Sequence, residues 1–368
     1  MVRRLAGSGR RRTPLFWGIV FRVVLFVAAG CLGLSYLSIY VNPSKFGLPL
    51  FFGLFYIPIL AVNVVLLLVA FARRSRSAWI PIIAILPSLL YLDLFVKIGG
   101  GSHEEKEGIK LTVKSYNVGT FSLSSDGLSR GDCRKAVISY INNNLPDILC
   151  LQEIFVDNKN MADTIFSSYR YRHYKLFKTR NGKLFGNMTL SRYPIVNTGD
   201  ICFKGSTNLS VFTDINHYDR ILRVFNNHLE SYNVSFTALV KKMSKNSAVG
   251  EEMRNEYKEV HDKMLGTFIK RSDQVNTIQA NIEKCKLPAI ICGDFNDTPV
   301  SYTYHRLVSG RKDSFREAGN GFGGTFMRLW PLLRIDYILY PKEFDCSAHI
   351  TDKIKLSDHY PVSAELII

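Results

Sequence analysis

Three long apolar stretches, all before residue 100, constrain this chain more than any other feature. Val23–Val41 (VVLFVAAGCLGLSYLSIYV) carries no charge and has the roughly 20 residues needed to cross a bilayer core. Phe46–Ala72 is also free of charge and long enough to span with tilt. Ala78–Lys97 is weaker, because it holds Pro81 and Pro87 with Asp93 near its end. A spanning helix tolerates proline and a terminal acid. The length of the first stretch, and the second that follows at once, argue against a cleaved signal peptide. No polar face runs along these stretches, which argues against buried core helices. The expectation is a membrane anchor of three transmembrane helices over residues 1–98.

The formal net charge of +16 first suggests a nucleic-acid partner. Its location weakens that reading. Eleven Lys and Arg residues stand against Asp93 alone before Ile98, which accounts for +10. Charge beside apolar stretches sets membrane orientation. RRLAGSGRRR at the start and RRSRS between the second and third stretches mark the cytoplasmic side. Three spans then deliver everything after Lys97 to the non-cytoplasmic face of an inner or plasma membrane. Without the third span the remainder stays cytoplasmic.

Gly99–Gly108 (GGGSHEEKEG) reads as a flexible linker. Residues 109–368 then form one α/β domain. Ile109–Asn117 alternates like a strand, and DILCLQE and AIICGD are short apolar runs that suit strands covered on both faces. Arg134–Asn143 reads as a helix, and Ser235–Lys286 as a helix with an excursion broken near Asn246–Gly250. The seven cysteines show no CxxC spacing, so no zinc framework is readable, and buried free thiols are expected.

Polar residues of one kind fall at the ends of such runs: Asn117, Glu153 and His228 close theirs, Asp294 and Asn296 follow AIICG, Asp336 sits in RIDYIL, and Asp358 and His359 follow in LSDHYPV. Sites gather beyond the carboxyl ends of such strands. Asn, Asp and Glu are hard oxygen ligands that suit Mg²⁺ or Mn²⁺, and histidine adds acid–base capacity near neutral pH. A divalent cation with carboxylates and histidine is a toolkit for phosphoryl chemistry.

The ordered set SYNV, LQE, NHLES, GDFND, IDYIL and SDHYPV resembles the endonuclease/exonuclease/phosphatase superfamily, from about Leu111 to Leu366. The resemblance implies a four-layer α/β sandwich, two packed mixed β-sheets flanked by helices, as in DNase I-like proteins. It implies Glu153 and Asn117 as metal ligands with Asp358 near the metal. Asp294 would position or deprotonate water, and Asn296 would orient Asp294 and touch phosphate. His359 would contact the scissile phosphate, and Asp336 would hold its imidazole. His228 matches a second family histidine, but Arg170–Asn187 offers no carboxylate to partner it. Asn187 matches a polar position near the phosphate.

The fold does not choose the substrate. Arg172, His173 and Lys175 lie in a basic tract interleaved with aromatics, which suits nucleic acid and lipid headgroups alike. Ala238–Glu259 is a candidate substrate loop. The expected activity is that of a Mg²⁺-dependent phosphodiesterase, nuclease-like first. A phospholipid or sphingomyelin phosphodiesterase or an inositol-polyphosphate phosphatase stands second, and a silent membrane-tethered binding module third.

Overall fold

The computed structural model describes residues 15–99, 107–124, 126–232 and 251–368. Most of the Gly99–Gly108 connector and of the Ala238–Glu259 segment lies outside these residues.

The first apolar stretch folds as one helix, α1 (Leu15–Leu37). Phe16–Leu37 is long and apolar enough to cross a membrane, with a mean hydropathy of 2.1. The second stretch is broken into α2 (Leu48–Leu54) and α3 (Tyr56–Ala72), bent by 75° at Phe55. The third departs most from expectation. Instead of one spanning helix it forms α4 (Trp79–Ile85) followed by 3₁₀ turns at Leu86–Leu90 and Leu92–Leu94. Pro87 cannot donate to the helical ladder, and α4 gives way to 3₁₀ geometry there. Among the described residues, one helix has span length, or two if the bent pair counts as one span.

These segments pack side by side. Asn63 on α3 donates to the Ala28 carbonyl (3.0 Å), and Tyr36 donates to the Ala84 carbonyl (2.8 Å). One end of the bundle carries arginine, with the Arg73 guanidinium 4.7 Å over the Phe21 ring. The other end sits on the remainder of the chain. Ser38 Oγ donates to the Val300 carbonyl at 2.8 Å, and a Cβ on Gly53 would lie 2.6 Å from the same oxygen. Only glycine allows that approach.

The rest is two stacked six-stranded mixed sheets. The first holds β2 (Lys110–Asn117), β3 (Ile148–Val156), β4 (Tyr171–Lys178), β5 (Leu184–Ser191), β13 (Asp345–Thr351) and β14 (Val362–Ile367), in the order β13-β14-β2-β3-β5-β4. The second holds β6 (Ile195–Cys202), β7 (Leu209–His217), β8 (Arg220–His228), β9 (Ala289–Asp294), β10 (Arg311–Asp313) and β12 (Asp336–Pro341), in the order β10-β12-β9-β8-β7-β6. Each sheet has one parallel pair, β2 with β3 and β8 with β9. Val113, Ile148, Cys150, Val224, Ile290, Cys292 and Ile338 fill the space between the sheets. α5 (Arg130–Asn143) covers the outer face of the first sheet through Val137 and Ile141. α7 (Glu251–Lys284) and α8 (Tyr302–Val308) cover the second through Val275, Ile278, Tyr304 and Leu307.

That last apolar layer also contains Leu32, Ile39, Tyr56, Leu94 and Phe95, so the N-terminal helices complete it. A short strand, β1 (Val96–Lys97), pairs with β11 (Gly321–Phe322). Asp93 meets Arg316 at 2.7 Å, and buried Arg334 donates to the Leu94 carbonyl at 3.2 Å. All seven cysteines are free.

Candidate active site

Register places the site. His228, Asp294 and Asp336 are direct cross-strand neighbours on β8, β9 and β12, so three chemistry-bearing residues fall in one row at the sheet's edge. In the facing sheet, β2 ends on Asn117 beside β3. The ladder between β3 and β5 breaks between Leu151 and Ile154, and Glu153 there has φ of +54°. Such a bulge re-aims a side chain. Here it turns Glu153 towards the other sheet.

The side chains converge. Asn117 Nδ2 donates to Asp294 Oδ2 (2.9 Å) and Glu153 Oε1 (3.2 Å), while its Oδ1 accepts the Gly119 N–H (3.0 Å). Asn296, at φ +53°, donates its backbone N–H to Asp294 Oδ1 (2.8 Å) and its Nδ2 to the Leu229 carbonyl (2.9 Å). His359 Nδ1 bonds Asp336 Oδ2 at 2.9 Å, leaving Nε2 facing Asp294 Oδ2 at 3.7 Å. The partner that His228 lacked in the sequence is Glu153, whose Oε1 lies 3.5 Å from His228 Nε2.

Burial governs the charges. It pulls the His359 imidazolium down, but the Asp336 and Asp294 carboxylates more than offset this and hold its pKa well above the ordinary histidine value. Burial raises Asp294, with His359 opposing and Asp336 adding to the rise. Burial raises Asp358 too, against His359, and the Glu153 charge raises it further. Asp294, Asp336 and His359 offer atoms within 4.8 Å of one another. His359 Nδ1 is already engaged by Asp336, which ties the trio together by hydrogen bonding. Glu153 and Asp358 repel each other across oxygen donors, the chemistry that a divalent cation relieves.

Asn187 shares no hydrogen bond with this cluster among the described residues, although Leu209, one of its acceptors, is the cross-strand neighbour of His228. It is buried on β5 and its Nδ2 reaches the Leu209 and Asn226 carbonyls, both at 3.3 Å. The basic tract has local partners: Arg172 donates to the Tyr169 carbonyl, Lys175 pairs with Asp200 at 2.7 Å, and Lys183 with Asp157. His173 is pushed below its ordinary value by burial.

Sequence reasoning missed two supports. Gln152 Nε2 donates to Asn226 Oδ1 (2.7 Å), and Asn226 Nδ2 reaches the Met188 carbonyl (3.0 Å), a polar clip between the sheets. Arg271 of α7 is fully buried, donates to the Glu230 carbonyl (2.7 Å) and lies 3.2 Å from Asp297, the residue after Asn296.

Two stacked mixed sheets with this row of carboxylates and histidines define the DNase I-like phosphoesterase fold. A family profile described as endonuclease/exonuclease/phosphatase matches residues 115–359, and the chain belongs to that family. A domain of unknown function matches residues 18–95. No curated protein matches this chain. Solved structures share the fold. An endonuclease/exonuclease/phosphatase from Beutenbergia cavernae is 17% identical, over 70% of this chain and 72% of that one, with a TM-score of 0.51. A family protein from Leptotrichia buccalis is 16% identical, over 70% of this chain and 100% of that one, with a TM-score of 0.50.

Proposed function

We propose that this chain is a membrane-anchored, divalent-metal-dependent phosphoester hydrolase. The observation that carries the reading is the convergence of Asp294, Asn296, Asp336 and His359 with Asn117, Glu153 and Asp358 at facing sheet edges. Asp294, with a raised pKa and fixed by Asn296 and Asn117, takes a proton from the attacking water. The water oxygen bonds to phosphorus as the ester P–O bond breaks, and the departing alkoxide takes a proton from solvent. His359, oriented by Asp336, donates through Nε2 to the phosphoryl oxygen as negative charge grows there. Glu153 and Asp358 would hold Mg²⁺ or Mn²⁺, which supplies charge neutralisation at the phosphoryl group. Asn117, expected as a third ligand, turns its NH2 to Glu153 and Asp294 and positions them instead. His228 steadies Glu153, and Asn187 and Asn296 line the phosphate side.

We read residues 1–98 as the anchor, 99–108 as a connector and 109–368 as the catalytic unit. Exposed Val23, Val27, Val65, Leu68, Ile83 and Leu86 support a lipid-facing surface. With Arg73 at one end of the bundle and the hydrolase at the other, positive-inside favours a non-cytoplasmic active site. The ion pairs of Lys175 and Lys183 leave the basic tract fewer free cations for a nucleic-acid backbone.

The test uses the full chain in detergent with bis-p-nitrophenyl phosphate. Turnover should need Mg²⁺ or Mn²⁺, stop with EDTA, and fall by about 10²–10⁴-fold in Asp294→Ala and His359→Gln. Metal-independent turnover, or full activity in both variants, would sink the mechanism.

A further inference from the structure

An apolar cavity of about 270 Å³ opens where the N-terminal bundle meets the catalytic unit. One wall is the break between α2 and α3, with Leu54, Phe55 and Ile57. The other is the loop holding Leu329, Leu332 and Leu333. Thr298 contributes the polar side chain on the catalytic side, and its Oγ1 already donates to the Gly53 carbonyl at 3.4 Å. The cavity therefore offers a hydrated or charged ligand little. Its volume falls just under the roughly 300–1,000 Å³ of pockets that take whole small molecules, which suits a single chain.

Both walls lead to the catalytic cluster. Thr298 is two residues beyond Asn296. The loop wall begins at Phe326, which bridges to His359 and packs edge-on against its ring at 5.4 Å. The next residue, Met327, donates its N–H to the Asp358 carbonyl at 2.8 Å. At its rim, Leu329 and Leu332 are exposed leucines. From the same break α3 runs into the exposed apolar flank of the bundle.

We propose that this cavity seats the hydrocarbon chain of the substrate, so that the enzyme acts on lipid-linked phosphoesters. The inference rests on the hydrolase reading above for its chemistry, but the chain site stands on the cavity alone. A chain entering from the bundle's flank lies between α3 and the Leu329–Leu333 loop. The phosphate it carries then lies on the His359 side of Phe326.

Two measurements on the full chain in detergent separate the claims. The first compares p-nitrophenyl hexadecyl phosphate with bis-p-nitrophenyl phosphate, which share a leaving group and differ by the chain. Wild type should favour the hexadecyl ester at least ten-fold in kcat/KM, and Leu332→Glu and Leu329→Trp should collapse that ratio towards one. The second irradiates the protein with hexadecyl phosphate carrying a diazirine near its chain end and maps the labelled peptides. Label should fall on 53–58 and 329–333 in wild type and be lost in Leu332→Glu, with melting temperatures confirming that each variant folds. Labelling without turnover would sink the hydrolase reading and keep the chain site. Equal turnover of both esters with no label there would overturn the chain site and keep the hydrolase. Neither turnover nor label would overturn both.

Discussion

At the scale of single residues, the site is a set of charges held by neighbours that themselves touch no phosphate. Arg271 is the clearest example. Its guanidinium is wholly buried and faces Asp297 at 3.2 Å, directly after the Asp294–Asn296 turn. Removing one partner of a buried pair strands the other charge, which costs about 3–5 kcal/mol. Arg271→Leu should lose that much in chemical denaturation, while Tyr257→Ala, on an exposed stretch of the same helix, should lose little. Equal small losses would show that the pair contributes nothing. Asn117, His228 and Asp294 were legible in the sequence because each closes an apolar run, whereas Asp336, which opens β12, and Asp358 and His359, which precede β14, were legible only through the motifs they sit in. Arg271, Gln152 and Asn226 were not, since their partners lie across helix–sheet and sheet–sheet contacts that no local pattern encodes. Glu153 was read as a metal ligand, yet its contact with His228 escaped notice because a bulge, not the strand's alternation, aims it.

At the scale of elements, strand register is the device that assembles the row of His228, Asp294 and Asp336. Gly293 permits it. Its φ is +131°, and a Cβ there would lie 2.0 Å from the Asn227 carbonyl. Gly293→Ala should therefore force β8 and β9 apart, costing about 2–4 kcal/mol and lowering kcat through a displaced Asp294. An unchanged melting temperature would contradict this. A second element-scale consequence concerns acid. His349 on β13 bonds Ser314 of the short helix α9 (Ser314–Ala318) at 2.8 Å, and burial, aided by the Arg334 charge, holds it down at about 3. The folded pKa lies below the unfolded value near 6.5, so the unfolded chain binds the proton first. Stability is then fully present above pH 6.5 and falls as pH drops towards 3, by about 2 kcal/mol at pH 5. His349→Asn should flatten the difference between melts at pH 7.5 and pH 5, and an unchanged slope would assign the acid loss elsewhere. The sandwich and its strands were legible from alternation and continuous apolar runs. The third apolar stretch was misjudged as one helix because hydropathy counts residues and is blind to the 3₁₀ turns around Pro87.

At the scale of the whole molecule, the N-terminal helices are structural walls as well as apolar ones. Leu94 and Phe95 share a core with Phe225, Ile291 and Tyr337, and β1 is stitched to β11. Alkaline carbonate washing should leave the chain in the membrane pellet, and release into the supernatant would sink the anchor. A fragment beginning at Ile109 should melt at a lower temperature than the full chain in the same detergent, because it exposes that shared layer. The Arg334 bond to the Leu94 carbonyl and the β1–β11 pair tie residues 94–97 directly to the 109–368 unit. Given the proposed anchor and lipid-linked substrate, a catalytic centre held to the bundle through residues 94–97 meets its substrate in a plane. Its rate should then follow the surface density of substrate and saturate with mole fraction in a bilayer instead of with bulk concentration.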